Sequence, residues 1–199
     1  MHFFIQCDII DKESKIFGGV KVKHYVRELI SEEKIANRIE QLGKQISEDY
    51  KDEDLVLVAL LRGSALFLAD ISRKITANCR IDFMCVSSYG NSMTTSGNIN
   101  IKKDLDEDIC GKNVLIIEDI IDTGTTLYKI KDFLLQREPK SLKICSLLDK
   151  PSRRIHDVKI DYIGFTIPDV FIVGYGIDYA QEYRTLPYLG EVVQEEENE

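Results

Sequence analysis

Val114-Leu115-Ile116-Ile117-Glu118-Asp119-Ile120-Ile121-Asp122-Thr123-Gly124-Thr125-Thr126-Leu127 decides how this chain folds. Its first four residues are apolar and mostly β-branched, the mark of a strand buried on both faces, and such strands belong mostly to parallel sheets covered by helices. The run stops at two carboxylates, Glu118 and Asp119. It resumes for two isoleucines and then meets Asp122 and a threonine-rich turn around Gly124. Ligands of parallel sheets sit at the carboxyl ends of the strands, so this junction is the first candidate site.

Asp122 to Thr126 has the make-up of a phosphate cradle. Thr123, Thr125 and Thr126 supply hydroxyls, and Gly124 permits close backbone approach. Leu127-Tyr128-Lys129-Ile130 then opens an amphipathic helix, whose N-terminal N–H groups and dipole favour an anion. The Walker pattern G-x-x-x-x-G-K-[ST] is absent. Glu118, Asp119 and Asp122 would repel a bare phosphate, but ionised carboxylates are acceptors that suit sugar hydroxyls and hard divalent cations. A ribose 5-phosphate accompanied by a metal satisfies both halves.

Outward from this stretch, Leu55 to Leu61 is a second buried strand, which ends at Arg62-Gly63-Ser64 before a helix from Ala65. An arginine followed by glycine there presents a guanidinium and bare N–H groups to an anion; an ordinary βα turn with an exposed arginine reads equally well from the stretch alone. Ser31 stands as N-cap, with Glu32 and Glu33 in the first turn, to a packing helix marked by Ile35, Ile39, Leu42 and Ile46. Arg80 to Val86 is a third strand. It leads into Ser87 to Asn98, twelve small and polar residues, and a loop of that length in a compact domain is usually functional or mobile.

Leu127 to Gln136 reads as a helix with Leu127, Ile130, Phe133 and Leu134 on one face, followed by a strand from Leu142 to Leu148 that ends in Asp149-Lys150-Pro151. Strands alternating with helices imply right-handed parallel crossovers and a doubly wound sheet. Residues 1–30 are harder: Phe3-Phe4-Ile5 and Ile16 to Val20 read as short strands or packing segments, and His2 and His24 lack metal-site spacing.

At 199 residues the chain is most simply one α/β domain over residues 1–190, with an acidic, solvated tail over 191–199. The net charge of -8 argues against an extended nucleic-acid surface, which would rest on lysine and arginine. The five cysteines show no C-x-x-C spacing; Cys85 and Cys145, inside apolar runs, read as buried thiols. The expectation is a protein without disulfides in a reducing cytoplasm. No leader and no apolar run of membrane-spanning length is present, so secretion and membrane insertion are not expected.

On Glu118-Asp119-Ile120-Ile121-Asp122-Thr123-Gly124 and its flanks, the chain resembles the type I phosphoribosyltransferases, and in particular their hypoxanthine-guanine branch. The resemblance spans roughly residues 10 to 190. It implies an α/β fold with a mainly parallel twisted sheet flanked by helices and a small hood subdomain. It implies transfer of a 5-phosphoribosyl group from phosphoribosyl pyrophosphate to a 6-oxopurine base, with magnesium, in a homodimer or homotetramer.

The resemblance also distributes roles. Glu118 and Asp119 would hold the ribose hydroxyls, directly or through Mg2+, with Asp178 a further carboxylate near the metal. Asp122 would be the general acid/base near N7 of the purine, and Thr123, Gly124, Thr125 and Thr126 would hold the 5-phosphate. Leu61, Arg62, Gly63 and Arg184 would meet the pyrophosphate, and a cis peptide between Leu61 and Arg62 is implied. Ser88 and Tyr89 would close as a lid. Lys150 would meet the 6-oxo group, Phe171 would stack on the base, Ile172 would offer backbone groups, and Ile177 would cover the other face. Without the resemblance, Lys150 reads as a surface lysine, and Phe171 and Ile177 as core.

Two rivals follow from the same residues. A regulatory protein could keep such a fold and only sense the nucleotide or its precursor, but it would need a nucleic-acid surface or an extra domain. A phosphoacceptor receiver domain also carries acids at strand ends, yet leaves the Thr123 to Thr126 cradle without a purpose.

Overall fold

The computed structural model describes residues 10–17, 20–87 and 100–196. In chain order the elements are β1 (Ile10–Phe17), β2 (Val20–Ile30), α1 (Glu32–Asp49), β3 (Asp54–Leu61), α2 (Ala65–Ser72), β4 (Asn78–Ser87), β5 (Asn100–Lys103), β6 (Asn113–Ile121), α3 (Thr125–Leu135), β7 (Ser141–Asp149), β8 (Tyr162–Thr166), β9 (Ile172–Val173) and β10 (Leu189–Glu196). Backbone contacts gather them into two units, residues 36–169 and the segments up to 35 and from 170.

The larger unit holds a sheet of order β5-β4-β3-β6-β7-β8, in which only β5 runs antiparallel to its neighbour. Its central strands are apolar without alternation because both faces are covered. From Leu55 to Leu60 and from Val114 to Ile117 every residue is buried. Each leucine or isoleucine so enclosed contributes about 1.5–3 kcal/mol relative to exposure. Successive strand residues point to opposite faces. Val56, Val58, Leu60, Val114 and Ile116 share one cluster with Leu127, Ile130 and Leu134 of α3. On the other face α2, with Phe67, Leu68 and Ile71 buried, lies against β3 and β6.

The expected α1 is present, and Ser31 caps it: its Oγ accepts from the Lys34 N–H at 3.4 Å and its carbonyl from Ile35 at 3.0 Å. Successive strands β3 and β4 run one way across the sheet, then β6 returns to the other side of β3 and β7 and β8 continue outward. The order therefore reverses between β3 and β6. In open α/β sheets that reversal opens a crevice beyond the strands' carboxyl ends, where ligands bind.

The smaller unit is an antiparallel sheet of order β1-β2-β10-β9. Two expectations change here. Ile16 to Val20, read as a short strand or packing segment, instead covers the end of β1 and the start of β2, and Phe3-Phe4-Ile5 lies outside the described residues. Of the stretch 191–199 expected as a solvated acidic tail, residues 191–196 belong to β10, which pairs with β2 from Leu189↔Ile30 to Glu196↔Val22. Main-chain donors and acceptors pair whatever the side chains are, so an acidic sequence still completes a ladder.

Among the described residues Cys79, Cys85, Cys110 and Cys145 are free thiols; Cys145 is buried as expected, while Cys85 is only partly so. Burial pushes the Cys145 thiol far above its ordinary range. No helix among the described residues is long and apolar enough to cross a membrane.

Candidate active site

The turn after β6 begins with carboxylates placed by the strand itself. Glu118 pairs in register with Ser146 of β7. Its Oε2 is a buried oxygen without a hydrogen-bond partner, and burial first, then the neighbouring Asp119 charge, hold its carboxyl well above the usual range. Asp119 Oδ1 accepts from the N–H of Ile120 at 2.9 Å.

Beyond β6 the backbone turns at Gly124, whose φ of 77° lies in the left-handed region, and α3 starts at Thr125. Thr123 Oγ1 donates to Thr125 Oγ1 at 3.1 Å and accepts from the Thr125 N–H at 3.3 Å. The Tyr128 N–H returns to the Gly124 carbonyl at 2.8 Å, which leaves the first-turn N–H groups of α3 without intrahelical partners. Donors, hydroxyls and helix dipole thus gather at one end of β6, as phosphate binding requires.

The turn after β3 is built differently. The Leu61–Arg62 peptide bond is cis, as the resemblance implies. Ser64 is buried and its Oγ donates back to the Leu60 carbonyl at 2.6 Å, closing the turn onto its own strand. Gly63 lies against the neighbouring loop so closely that an added Cβ would fall within the Asp119 carboxylate, 2.6 Å from its Cγ. The two turns therefore meet at the strand-order reversal, with Gly63 making room for Asp119.

Lys150, at the end of β7, is buried at 7% exposure, so the surface reading is corrected. Its N–H donates to the Ile121 carbonyl at 3.0 Å, and its Nζ lies 3.9 Å from Asp169 Oδ1.

In the smaller unit Phe171 is 52% exposed and meets Tyr179 edge to face at 5.2 Å between ring centroids, so it is no core residue. Ile172 is buried in β9, while Ile177 is partly exposed and exchanges both main-chain hydrogen bonds with Gly174 at 2.9 Å. Asp178 Oδ1 pairs with Arg184 Nη2 at 2.7 Å, its Oδ2 accepts from the Gln181 N–H at 2.8 Å, and Arg184 Nη1 donates to the Gly176 carbonyl at 2.7 Å. Ser88 and Tyr89 lie outside the described residues.

The family model described as the phosphoribosyl transferase domain matches residues 26–180. The chain belongs to the phosphoribosyltransferase family. It is 58% identical over 174 residues to a hypoxanthine phosphoribosyltransferase of Escherichia coli strain K12, covering 86% of this chain and 98% of the relative. It is 47% identical over 170 residues to a hypoxanthine-guanine phosphoribosyltransferase of Bacillus subtilis strain 168, covering 85% and 94%. The crystal structure of a hypoxanthine-guanine phosphoribosyltransferase from Bacillus anthracis superposes with a TM-score of 0.80 at 49% identity, covering 83% of this chain and 98% of that one.

In this phosphoribosyltransferase one supporting segment escaped the sequence reading. After the 3-10 turn Pro151–Arg153, the N–H groups of Ile155 and His156 donate to the Thr123 carbonyl at 2.9 and 3.1 Å. Arg154 pairs with the buried Asp149 and lays its aliphatic stem beside Gly124. The turn at Gly124 is thus braced from behind. The sequence signal was Lys150-Pro151-Ser152-Arg153-Arg154, three cations in five residues at a strand's carboxyl end.

Proposed function

We propose that this chain is a purine-salvage enzyme that transfers the 5-phosphoribosyl group of phosphoribosyl pyrophosphate to N9 of hypoxanthine or guanine, giving IMP or GMP and pyrophosphate. One observation carries the reading: at the strand-order reversal a phosphate-type helix start and a pair of carboxylates meet a cationic turn across Gly63. That arrangement matches, end to end, a sugar bearing a phosphate on one carbon and a leaving pyrophosphate on another.

Cleavage at the anomeric carbon leaves positive charge on the ribose ring, which nearby carboxylates stabilise. Glu118 and Asp119 hold the ribose hydroxyls. Thr123, Gly124, Thr125 and Thr126 bind the 5-phosphate through hydroxyls and N–H groups, and Leu61, Arg62, Gly63 and Arg184 meet the pyrophosphate. Asp122 takes the proton that the purine gives up near N7 as N9 forms its bond. Lys150 donates to the 6-oxo oxygen, Phe171 and Ile177 cover the base, and Ile172 offers main-chain groups to its edge. Ser88 and Tyr89 belong to a lid that keeps water from the ribosyl cation.

The donor set suits Mg2+. The buried Glu118 oxygen without a partner and the adjacent Asp119 are hard oxygen ligands, and Mg2+ is usually held by one or two carboxylates plus substrate phosphates. When bound it neutralises the departing pyrophosphate. Asp178, whose present ion-pair partner is Arg184, is proposed as a further carboxylate for the metal. The enzyme works in the cytoplasm as a homodimer or homotetramer.

The test is a spectrophotometric assay with phosphoribosyl pyrophosphate, magnesium and hypoxanthine, guanine, xanthine or adenine in turn. Hypoxanthine or guanine is expected to be consumed and adenine left; no turnover with any of the four rejects the reading. Asp122→Asn is expected to lower kcat by about 100- to 10,000-fold with little change in phosphoribosyl pyrophosphate binding. Near-normal turnover in that variant would reassign the proton transfer.

A further inference from the structure

Four charged side chains follow one another near the carboxyl ends of β6 and β7. Arg153 Nε lies 2.9 Å from Asp122 Oδ1. Arg153 Nη1 donates to Asp169 Oδ1 at 3.5 Å, and Lys150 Nζ lies 3.9 Å from that same oxygen. The row alternates in sign: Asp122, Arg153, Asp169, Lys150. Its two ends are the residues given proton transfer and 6-oxo recognition above. Its two middle members, each about half exposed, have no part in the reaction as described.

The Asp122 contact is an ion pair without hydrogen-bond alignment, since Asp122 Oδ1 is a buried oxygen that accepts no hydrogen bond. The Asp169 contacts are longer still. Each pair is long or poorly aligned and has at least one half-exposed member, so each contributes little individually and a single new interaction is enough to repartition them.

We propose that Arg153 and Asp169 are a positioning pair that couples occupation of the base site to release of Asp122, an inference that rests on the purine reading above. In the free protein Arg153 is shared between Asp122 and Asp169, and Asp169 between Arg153 and Lys150. A 6-oxo oxygen arriving at Lys150 Nζ competes with Asp169 for the ammonium. Asp169 then turns its charge towards Arg153, Arg153 moves off Asp122, and Asp122 Oδ1 is free to accept the purine N–H. A 6-amino group offers Lys150 no comparable acceptor and leaves the row as it stands, so the same device adds to 6-oxo selectivity.

The experiment compares Asp169→Asn, Arg153→Ala and the double variant in the full chain. It measures kcat for hypoxanthine, KM for phosphoribosyl pyrophosphate, and Tm. Asp169→Asn leaves Arg153 on Asp122, so kcat is expected to fall about three- to tenfold, with that KM and Tm unchanged. Arg153→Ala frees Asp122 permanently and is expected to keep kcat within about threefold. The double variant is expected to recover the activity of Arg153→Ala alone, a suppression that loss of packing would not produce.

Wild-type kcat in Asp169→Asn, or a double variant no faster than Asp169→Asn, overturns the coupling. Absence of turnover in the wild-type chain with every base overturns instead the purine reading beneath it.

Discussion

The turns after β3 and β6 stand side by side at one end of the sheet and reach their chemistry by opposite means. The β6 turn works through side chains: two acids at the strand's end, a third acid, and threonine hydroxyls around one left-handed glycine. The β3 turn works through backbone: a cis peptide, a serine folded back on its own strand, and a glycine whose missing Cβ is occupied by Asp119. A loop can be shaped by the atoms it lacks, and residue types announce that less clearly than they announce acids and hydroxyls.

That contrast is sharpest at Gly63. In Gly63→Ala the new methyl displaces the end of a flexible side chain, so the fold survives with Tm within about 3 °C, while the Asp119 carboxylate leaves its place. Because displacement by about 1 Å costs on the order of 100-fold in rate, kcat/KM is expected to fall by that factor. An active Gly63→Ala enzyme would make the β3 turn an ordinary connection.

Gly124→Ala tests the β6 turn by the same chemical change. Here the obstacle is main chain, the His156 carbonyl 2.9 Å from an added Cβ, and a positive φ costs about 1–2 kcal/mol for a residue with a side chain. The expected result is a Tm lower by about 2–8 °C and a KM for phosphoribosyl pyrophosphate raised by about tenfold. Loss of kcat with KM unchanged would place Gly124 outside phosphate binding.

Glu118→Gln separates stability from function within the β6 turn. Burial raises the Glu118 carboxyl in the fold, so the charged form costs the native state. The sign follows: its contribution is fully present below the ordinary glutamate range and is lost as pH rises through that range towards the raised folded value. A neutral amide removes the loss. The variant is expected to gain about 2 °C or more in Tm at neutral pH while losing turnover, and a flat or lowered Tm would mean that the carboxylate is well solvated.

The same physics divides what the sequence revealed from what it concealed. Leu55–Leu61 and Val114–Ile117 were readable because burial on both faces leaves an unbroken apolar run, and Ile35, Ile39, Leu42 and Ile46 because one buried face imposes helical spacing. The pairing of β2 with β10 was not, since a ladder between charged stretches such as Lys21 to Lys23 and Glu195-Glu196 is decided by partners far away in sequence. At the site, Glu118 to Thr126 was legible from residue types. Arg153 and Arg154 were not, because their places beside Asp122 and Gly124 depend on the 3-10 turn Pro151–Arg153.

β10 lies between β2 and β9, yet is last of the three in chain order. During synthesis β2 is made early and must wait for residues 31–188 before its second edge is covered. At about 5–20 residues per second that interval is roughly 8–30 s, time in which a bare strand edge invites pairing with another nascent chain. The charged residues along β2, Arg27 and Glu28 among them, are of the kind that keeps a bare strand edge from pairing with another chain.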